Sequence, residues 1–382
     1  MQTRVMSLEE GKDPSPVIRT RVLPVRLLLK LFMFLILCAL FSFISLSTFK
    51  RYGFDGMVGV VKPSYQPCIG ESSGLDRWIR PPSNLMHTMS DEELFWRATL
   101  VPRIRKYPFN RTPKIAFMFL TKGPLPLAPL WERFFKGHEG RYSIYIHSLP
   151  SYDEEFPPTS VFYRRNIPSQ LTQWGTMSLC DAERRLLANA LLDISNERFI
   201  LLSESCIPLY KFNFIQNYIT NSKYSFIGAF DDVGPFGRGR YDENMAPEVN
   251  ITEWRKGSQW FEINRRLAIN IVEDTIFYPK FEAFCKPNCY VDEHYFPTML
   301  TIRAANLLAN RSITLVDWSR GGSHPATFGK GDVTVDFLKK IREKTTCTYN
   351  GRNTTVCYLF ARKFAPSTLE PLLEVAPKVF DF

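Results

Sequence analysis

Beyond residue 113 the sequence predicts an α/β domain built on a largely parallel sheet. Two apolar runs, at 115–120 and 199–203, are continuous rather than alternating, as in strands buried on both faces. Stretches with helical spacing follow them, and the strand–helix alternation recurs through most of the remaining chain.

The elements before that domain are different in kind. Residues 27–49 hold one charge, Lys30, in a run of Leu, Phe and Ile. About 20 such residues cross a bilayer as one helix. Arg19, Arg21, Arg26 and Lys30 crowd its N-terminal side and favour a cytosolic tail, although Lys50 and Arg51 stand on the far side. All four Asn-x-Ser/Thr sequons (Asn110, Asn250, Asn310 and Asn353) come after the segment, where a lumenal domain could be glycosylated. A cleaved signal peptide is the rival reading. The long charged leader and the lack of a small-residue cleavage site after Thr48 count against it. The expectation is a single-pass type II membrane protein: cytosolic tail 1–26, signal-anchor 27–49, stem 50–112, lumenal domain 113–382. The stem is rich in Gly, Pro and Ser, with a helix expected over 91–100.

Within the domain, 115–120 reads as a buried strand, 127–135 as an amphipathic helix and 143–147 as a strand. Ser178 with Asp181 resembles a capping box opening a helix that runs to 192. Strand 199–203, helix 213–219 and strand 225–230 follow, the last ending at Asp231-Asp232. A helix over 265–273, a strand at 313–318, a helix over 335–342 and a strand at 356–360 complete the order. Ligands of such sheets sit at the carboxyl ends of the strands.

Charge and cysteine content narrow the setting. The net charge is +10, and the first 30 residues hold six basic and three acidic side chains, which leaves about +7 beyond them. A basic lumenal surface attracts nucleotide diphosphates, acidic glycans or membrane, or is merely solvated; the expected topology argues against nucleic acid. Aromatic residues, at 14%, suit a packed globule and sugar-stacking surfaces equally. Of eight cysteines Cys38 lies in the anchor, and an oxidising lumen favours disulfides among the odd seven: Cys68, Cys180, Cys206, Cys285, Cys289, Cys347 and Cys357. Cys347 and Cys357 bracket Tyr349-Asn350-Gly351, a hairpin signal that could join them. Cys285 and Cys289 with His294 could be read as a zinc cluster, a poor second to a disulfide.

Four stretches place polar and aromatic residues beside apolar strands: 201–208, 237–241 with 254–261, 290–296, and 359–364. Carboxylates, cations and tryptophans in such a domain suit sugar transfer from a nucleotide sugar. Inverting transfer needs one carboxylate to take the acceptor hydroxyl's proton. It also needs positive charge where the diphosphate departs. Many such enzymes hold a metal there with Asp-x-Asp, which occurs nowhere in this chain. Asp-x-Glu occurs at 91/93, 153/155 and 181/183, but not convincingly after a strand end. Fixed Arg and Lys side chains are therefore expected in place of a metal.

Asp292 and Glu293 are neighbours and on a helix would point about 100° apart. Asp292 fits an N-cap, which leaves Glu293 free to enter a cleft. Spacing alone favours a plainer reading, two solvated acids at a surface helix start. Trp254, Trp260 and Trp318 are sugar-stacking candidates or core residues. Arg362-Lys363 is an edge charge pair or a diphosphate clamp.

Taken together, residues 114–121, 201–209, 254–261, 289–295, 316–319 and 359–364 resemble the core-2/I-branching β-1,6-N-acetylglucosaminyltransferase family, most closely its plant, brittle-culm-like branch. The resemblance implies a GT-A-like, Rossmann-like fold, a Golgi setting, and an inverting reaction with no metal. It implies a UDP-sugar donor, UDP-GlcNAc first, and a glycan or glycoprotein acceptor in plant cell-wall or arabinogalactan-type glycosylation. By it Glu293 falls where the family places its base, which reverses the odds from spacing. Lys363 matches a lysine that contacts the donor diphosphate, with Arg362 beside it and Arg320 or Lys330 as candidates for a second basic residue. Arg240 is similar to an acceptor-side basic residue, Trp318 to an acceptor-stacking tryptophan, and 257–260, with Trp260, to a segment near the acceptor cleft. Two departures lie on the nucleotide side: Cys206 stands where animal members carry Asp, and Ser148 where an Asp follows the strand. They leave room for glucuronosyl or xylosyl transfer, with an acidic glycan near Arg238, Arg240 and Arg255. A non-catalytic Golgi glycan-binding or scaffold protein is the reading from another class.

Overall fold

The computed structural model describes residues 25–52, 74–75 and 79–382, apart from 83, 103, 105, 287, 288, 323 and 344. Along 25–52 it gives the backbone alone at 25, 27, 28, 31 and 43–52. The chain divides into two units, 1–71 and 72–382. In the first, Val25–Tyr52 forms the 28-residue helix α1, which covers the expected anchor. Leu29, Phe32, Phe34 and Phe41 on it are exposed. Among the described residues no helix is long and apolar enough to cross a membrane. Most of the expected tail and stem, including Cys68, lies outside the described residues.

The second unit contains α2 (Asp91–Ala98), started by a reciprocal capping box. Ser90 Oγ accepts from the Glu93 N–H at 3.2 Å while Glu93 Oε2 accepts from the Ser90 N–H at 2.8 Å. The chain then alternates β1 (Lys114–Leu120), α3 (Ala128–Phe135), β2 (Tyr142–His147), α4 (Met177–Leu191), β3 (Asn196–Ser203), β4 (Ile207–Pro208) and α5 (Phe212–Thr220). After a long looped stretch come β5 (Glu262–Asn264), α6 (Arg265–Val272), α7 (Tyr278–Phe284), α8 (Tyr295–Ala304) and β6 (Thr314–Val316). The last elements are α9 (Val335–Glu343), β7 (Cys347–Tyr349), β8 (Arg352–Thr354), β9 (Phe360–Arg362) and α10 (Leu369–Val379).

The main sheet runs β2-β1-β3-β5, with β1 parallel to both neighbours and β5 antiparallel on the β3 edge. A smaller sheet, β4-β9-β6, pairs β9 parallel with β6 and antiparallel with β4. This is the mixed α/β architecture with a parallel core that the apolar runs predicted. Side chains on a strand alternate between faces. Ile115, Phe117 and Phe119 therefore join one buried cluster with α3, α5 and α10, and Ala116, Met118 and Leu120 join another with α4, α6 and α8. Phe117 packs edge-on against Trp131, Phe134 and Phe135, its ring centroid 4.9 Å from that of Phe135. Burying such side chains contributes roughly 1.5–3 kcal/mol each.

Four expected features differ. Residues 225–230 form no strand: Ser225, Phe226 and Phe230 each make one isolated bridge, to Leu308, Glu262 and Lys256. One segment is shared among three partners, so no ladder propagates. The last strand is Phe360–Arg362 rather than 356–360, because the Cys347–Cys357 disulfide ties the earlier residues to the β7–β8 hairpin. The strand at 313–318 shortens to Thr314–Val316, since Asp317 accepts from the Ser319 N–H and starts a turn. Thr176, not Ser178, holds the N-cap position of α4, without a side-chain cap bond; Ser178 Oγ accepts from the Gln173 N–H instead.

Beside the sheet edge, Arg198 Nη1 lies 3.2 Å from Oε1 of the fully buried Glu262. Arg198 also donates to the Ser222 and Tyr224 carbonyls. Burial raises the Glu262 carboxyl above its ordinary range, and Arg198 opposes that shift. Removing one partner of a buried pair leaves the other charge uncompensated. Arg198→Met should therefore lower unfolding free energy by roughly 3–5 kcal/mol in urea titration. A change below 1 kcal/mol would show that the pair does not hold this edge.

Candidate active site

Glu293 ends a 3-10 turn, Val291–Glu293, directly ahead of α8. Tyr290 enters the turn with a left-handed backbone, φ 54°. The Glu293 carbonyl accepts from the Gly257 N–H at 2.7 Å. Its carboxylate, 26% exposed, accepts from Arg240 Nη1 at 3.2 Å and from Lys256 Nζ at 3.0 Å. Both bonds fall on Oε2; among the described residues Oε1 takes none. Arg240 lies 4.4 Å over the Tyr290 ring and 5.5 Å over Phe236, and Lys256 lies 5.9 Å over Phe236. Aromatic faces within about 6 Å of a cation attract it and restrain its position.

The loop that carries Arg240 is built around Gly237, where a Cβ would lie 2.1 Å from the Asp232 carbonyl oxygen. Trp254 Nε1 donates to the Gly237 carbonyl at 3.0 Å. Its indole is held between Phe281, 5.3 Å away, and His294, 4.6 Å away. Trp254 is thus a core residue. Burial lowers the pKa of His294 to about 3, so the imidazole is neutral while Nδ1 bonds the Arg255 carbonyl.

Asp292 is not the N-cap expected of it. His294 occupies that position and makes no side-chain cap bond. Asp292 turns inward instead and is 5% exposed. Burial, then the Glu293 charge, raises its pKa to about 7.

The cations stand at the carboxyl ends of the strands. Arg362 closes β9, its guanidinium 4.0 Å over the Trp260 ring, and its Nε is sealed without a hydrogen-bond partner. Burial lowers the Arg362 pKa; Cys206 and Glu204 act against that. Lys363 follows, its carbonyl accepting from the Phe328 N–H at 2.8 Å. Burial and then the Arg362 charge lower the Lys363 ammonium, Glu204 raises it, and Lys122 lowers it further. Lys122 follows β1 and Glu204 follows β3, so three strand ends contribute charge to one place. At the end of β2, burial and then Arg185 bring His147 down to about 4, and its neutral ring accepts from the Gln170 N–H. Cys206 is a buried thiol, raised by burial, whose Sγ accepts from the Ser203 N–H at 3.3 Å.

One short segment joins the acid to the cations. Lys256 and Gly257 hold Glu293, while Trp260 lies beneath Arg362. Three residue steps span at most roughly 11 Å. Glu293 and Arg362 therefore rest on opposite ends of a single stretch of backbone.

The structure distributes the other expected residues unevenly. Trp318 is 49% exposed, two residues past Val316, which pairs with Arg362 in the small sheet. Trp260 is 5% exposed, with one ring face covered by Arg362. Arg320 is exposed in the turn after β6, and Lys330 pairs with Glu370 on the surface. Arg238 is paired with Asp231, and Arg255 donates to the Thr252 and Trp254 carbonyls, so neither faces Glu293. Asn110, Asn250, Asn310 and Asn353 are all exposed. Cys285 and Cys289 form a disulfide, which replaces the zinc reading, and Cys347 pairs with Cys357. Among the described residues no group of three or more His, Cys, Asp or Glu side chains is placed to hold a metal ion. Sequence reading missed Lys256, Lys122, Tyr290 and Phe236. Lys256 and Tyr290 lay inside stretches already singled out, but their partners are distant in sequence.

Residues 115–342 match the family model described as Core-2/I-Branching enzyme. The chain is also similar to Glycosyltransferase BC10 of Oryza sativa subsp. japonica, 35% identical over 309 residues, covering 69% of this chain and 76% of that protein.

Gly257 packs so closely that an added Cβ would lie 2.0 Å from the Gly228 carbonyl oxygen and 2.7 Å from Pro297 Cγ. Gly257→Ala should cost about 1–3 kcal/mol of stability, read as a lower urea midpoint. An unchanged midpoint would mean that the segment under Glu293 yields freely.

Proposed function

The chain belongs to the Core-2/I-branching enzyme family and is a glycosyltransferase, and from that premise we propose an inverting, metal-independent transfer of a sugar from UDP. The observation that carries the proposal is Glu293. It is a single carboxylate, oriented through one oxygen by two cations, and braced by the same backbone segment, 256–260, that supports Arg362.

In this mechanism the acceptor hydroxyl binds at Glu293 Oε1. The carboxylate takes its proton as the hydroxyl oxygen forms a bond to the anomeric carbon. The bond from that carbon to the diphosphate oxygen breaks on the opposite face and inverts the centre. UDP leaves with the electron pair, and Lys363, with Arg362 and Lys122 nearby, offsets its charge. Cations fixed in a partly buried site supply what a metal supplies elsewhere. Trp318 and Arg240 are assigned to the acceptor; Trp260 serves it indirectly, as the seat of Arg362. Arg320 and Lys330 remain candidates for a second diphosphate contact.

GlcNAc is the first choice of donor sugar and a glycan or glycoprotein the acceptor, in plant cell-wall or arabinogalactan-type glycosylation. Glucuronosyl and xylosyl transfer are the alternatives on this fold, which we read as GT-A-like. Arg238 and Arg255 are occupied, which favours a neutral acceptor over an acidic one. We place the enzyme in the Golgi membrane as a type II protein, with the apolar sequence run at 27–49 as its expected anchor and the sequons in the lumen.

Glu293→Gln should fold normally and lose roughly 10²–10⁴-fold in kcat, the range for a general base. Turnover like that of the wild type would remove Glu293 from the mechanism. In the same assay, UDP release from a donor panel should survive EDTA. Loss restored by manganese would contradict the metal-free reading, and no release from any donor would favour a non-catalytic glycan binder.

A further inference from the structure

Behind Glu293 lies a second pair of acids that the proposed transfer does not use. Glu183, on α4, is fully buried, and the turn bearing Asp292 packs against that helix. Glu183 Oε1 accepts from Gln259 Nε2 at 2.8 Å. Glu183 Oε2 and Asp292 Oδ1 are both sealed from solvent without a hydrogen-bond partner. A buried polar atom left alone is costly, and a fully buried carboxyl with no cation paired to it favours its neutral form.

We propose that Glu183 is kept in this wall as the neutral acid, and that it positions the 256–260 segment through Gln259 without touching substrate. Full burial without a paired cation requires that neutral form. Gln259 stands between Gly257, which holds Glu293, and Trp260, which holds Arg362, so the brace fixes both halves of the site at once.

The surrounding charges agree. From the turn, Asp292 presses on Glu183, and Glu293 presses on Asp292. Arg240 and Lys256 pull on Asp292 more weakly, and both are committed to Glu293 Oε2. On α4, Cys180 is a buried thiol held neutral by burial and by Glu183, Asp292 and Asp181. Arg184 beside it donates to the Val272 and Asp274 carbonyls, and Asp181 accepts from the Tyr278 hydroxyl. No cation is paired with Glu183 among the described residues.

The sign of the pH effect follows. Burial raises both carboxyls, Glu183 well above its ordinary value and Asp292 to about 7. The folded state therefore holds protons that the unfolded chain releases near pH 4. Stability from the pair is fully present below that pH and is lost as pH rises through the folded values.

The test is carried out on the whole protein and rests on the transfer reading in only one arm. In melting curves from about pH 4 to 9, wild-type Tm should fall with rising pH, and in Glu183→Gln that fall should be clearly smaller. This arm needs no activity. In the transfer assay Glu183→Gln should keep wild-type turnover at mildly acid pH and carry its alkaline limb roughly one pH unit higher. Glu183→Leu, which offers Gln259 no acceptor, should lose roughly 10-fold or more in kcat with little change in KM. Superimposed Tm–pH curves for wild type and Glu183→Gln would overturn the neutral Glu183, whatever the activity. Full activity in Glu183→Leu would overturn the positioning role.

Discussion

The hydrogen bond from the Gly257 N–H to the Glu293 carbonyl ties the turn that carries Glu293 to the segment that also supports Arg362. It exists because residue 257 lacks a side chain: Gly228 and Pro297 occupy the space that a Cβ would take. Lys256 then reaches the Glu293 carboxylate from one side of that contact, and Trp260 supports Arg362 from the other. The large aromatic cluster around Phe117 plays a different part. It fixes the sheet whose strand ends bring Lys122, Glu204 and Lys363 together.

The parts of the fold legible in the sequence were those whose signal is local. The runs at 115–120 and 199–203 are apolar at every position because both sheet faces are covered, and such runs have few competing readings. Residues 225–230 look just as strand-like. What they become depends on Leu308, Glu262 and Lys256, none of them adjacent in sequence. Hairpin chemistry was local as well: Asn350 and Gly351 both adopt positive φ, and the disulfide beyond them closes as the spacing suggested.

The site was legible in its residue types more than in its geometry. Glu293 and Lys363 stood out beside apolar segments, but neighbouring acids say nothing about which one turns inward. The inward one is Asp292, because a 3-10 turn rather than a helix start precedes α8 and aims that side chain at α4. Trp260 shows the same limit in reverse. Its indole looks available for a sugar in the sequence, and in the fold a guanidinium covers it. Cys206 is explained by its surroundings: a small, uncharged side chain fills a sealed turn where Trp131 Nε1 donates to its carbonyl.

Asn310 combines two properties that bear on each other. Its side-chain oxygen accepts from the Ala229 N–H at 2.7 Å, and the residue, itself exposed, also heads an Asn-Arg-Ser triplet. Oligosaccharide attachment would take place on the amide nitrogen and leave the oxygen free to keep that contact. A carbohydrate tree rooted there would stand next to Phe230, whose main chain is laced to Lys256. Decoration of this asparagine would thus shield the backbone pairing of Phe230 with Lys256 from proteases and solvent without disturbing the bond beneath it.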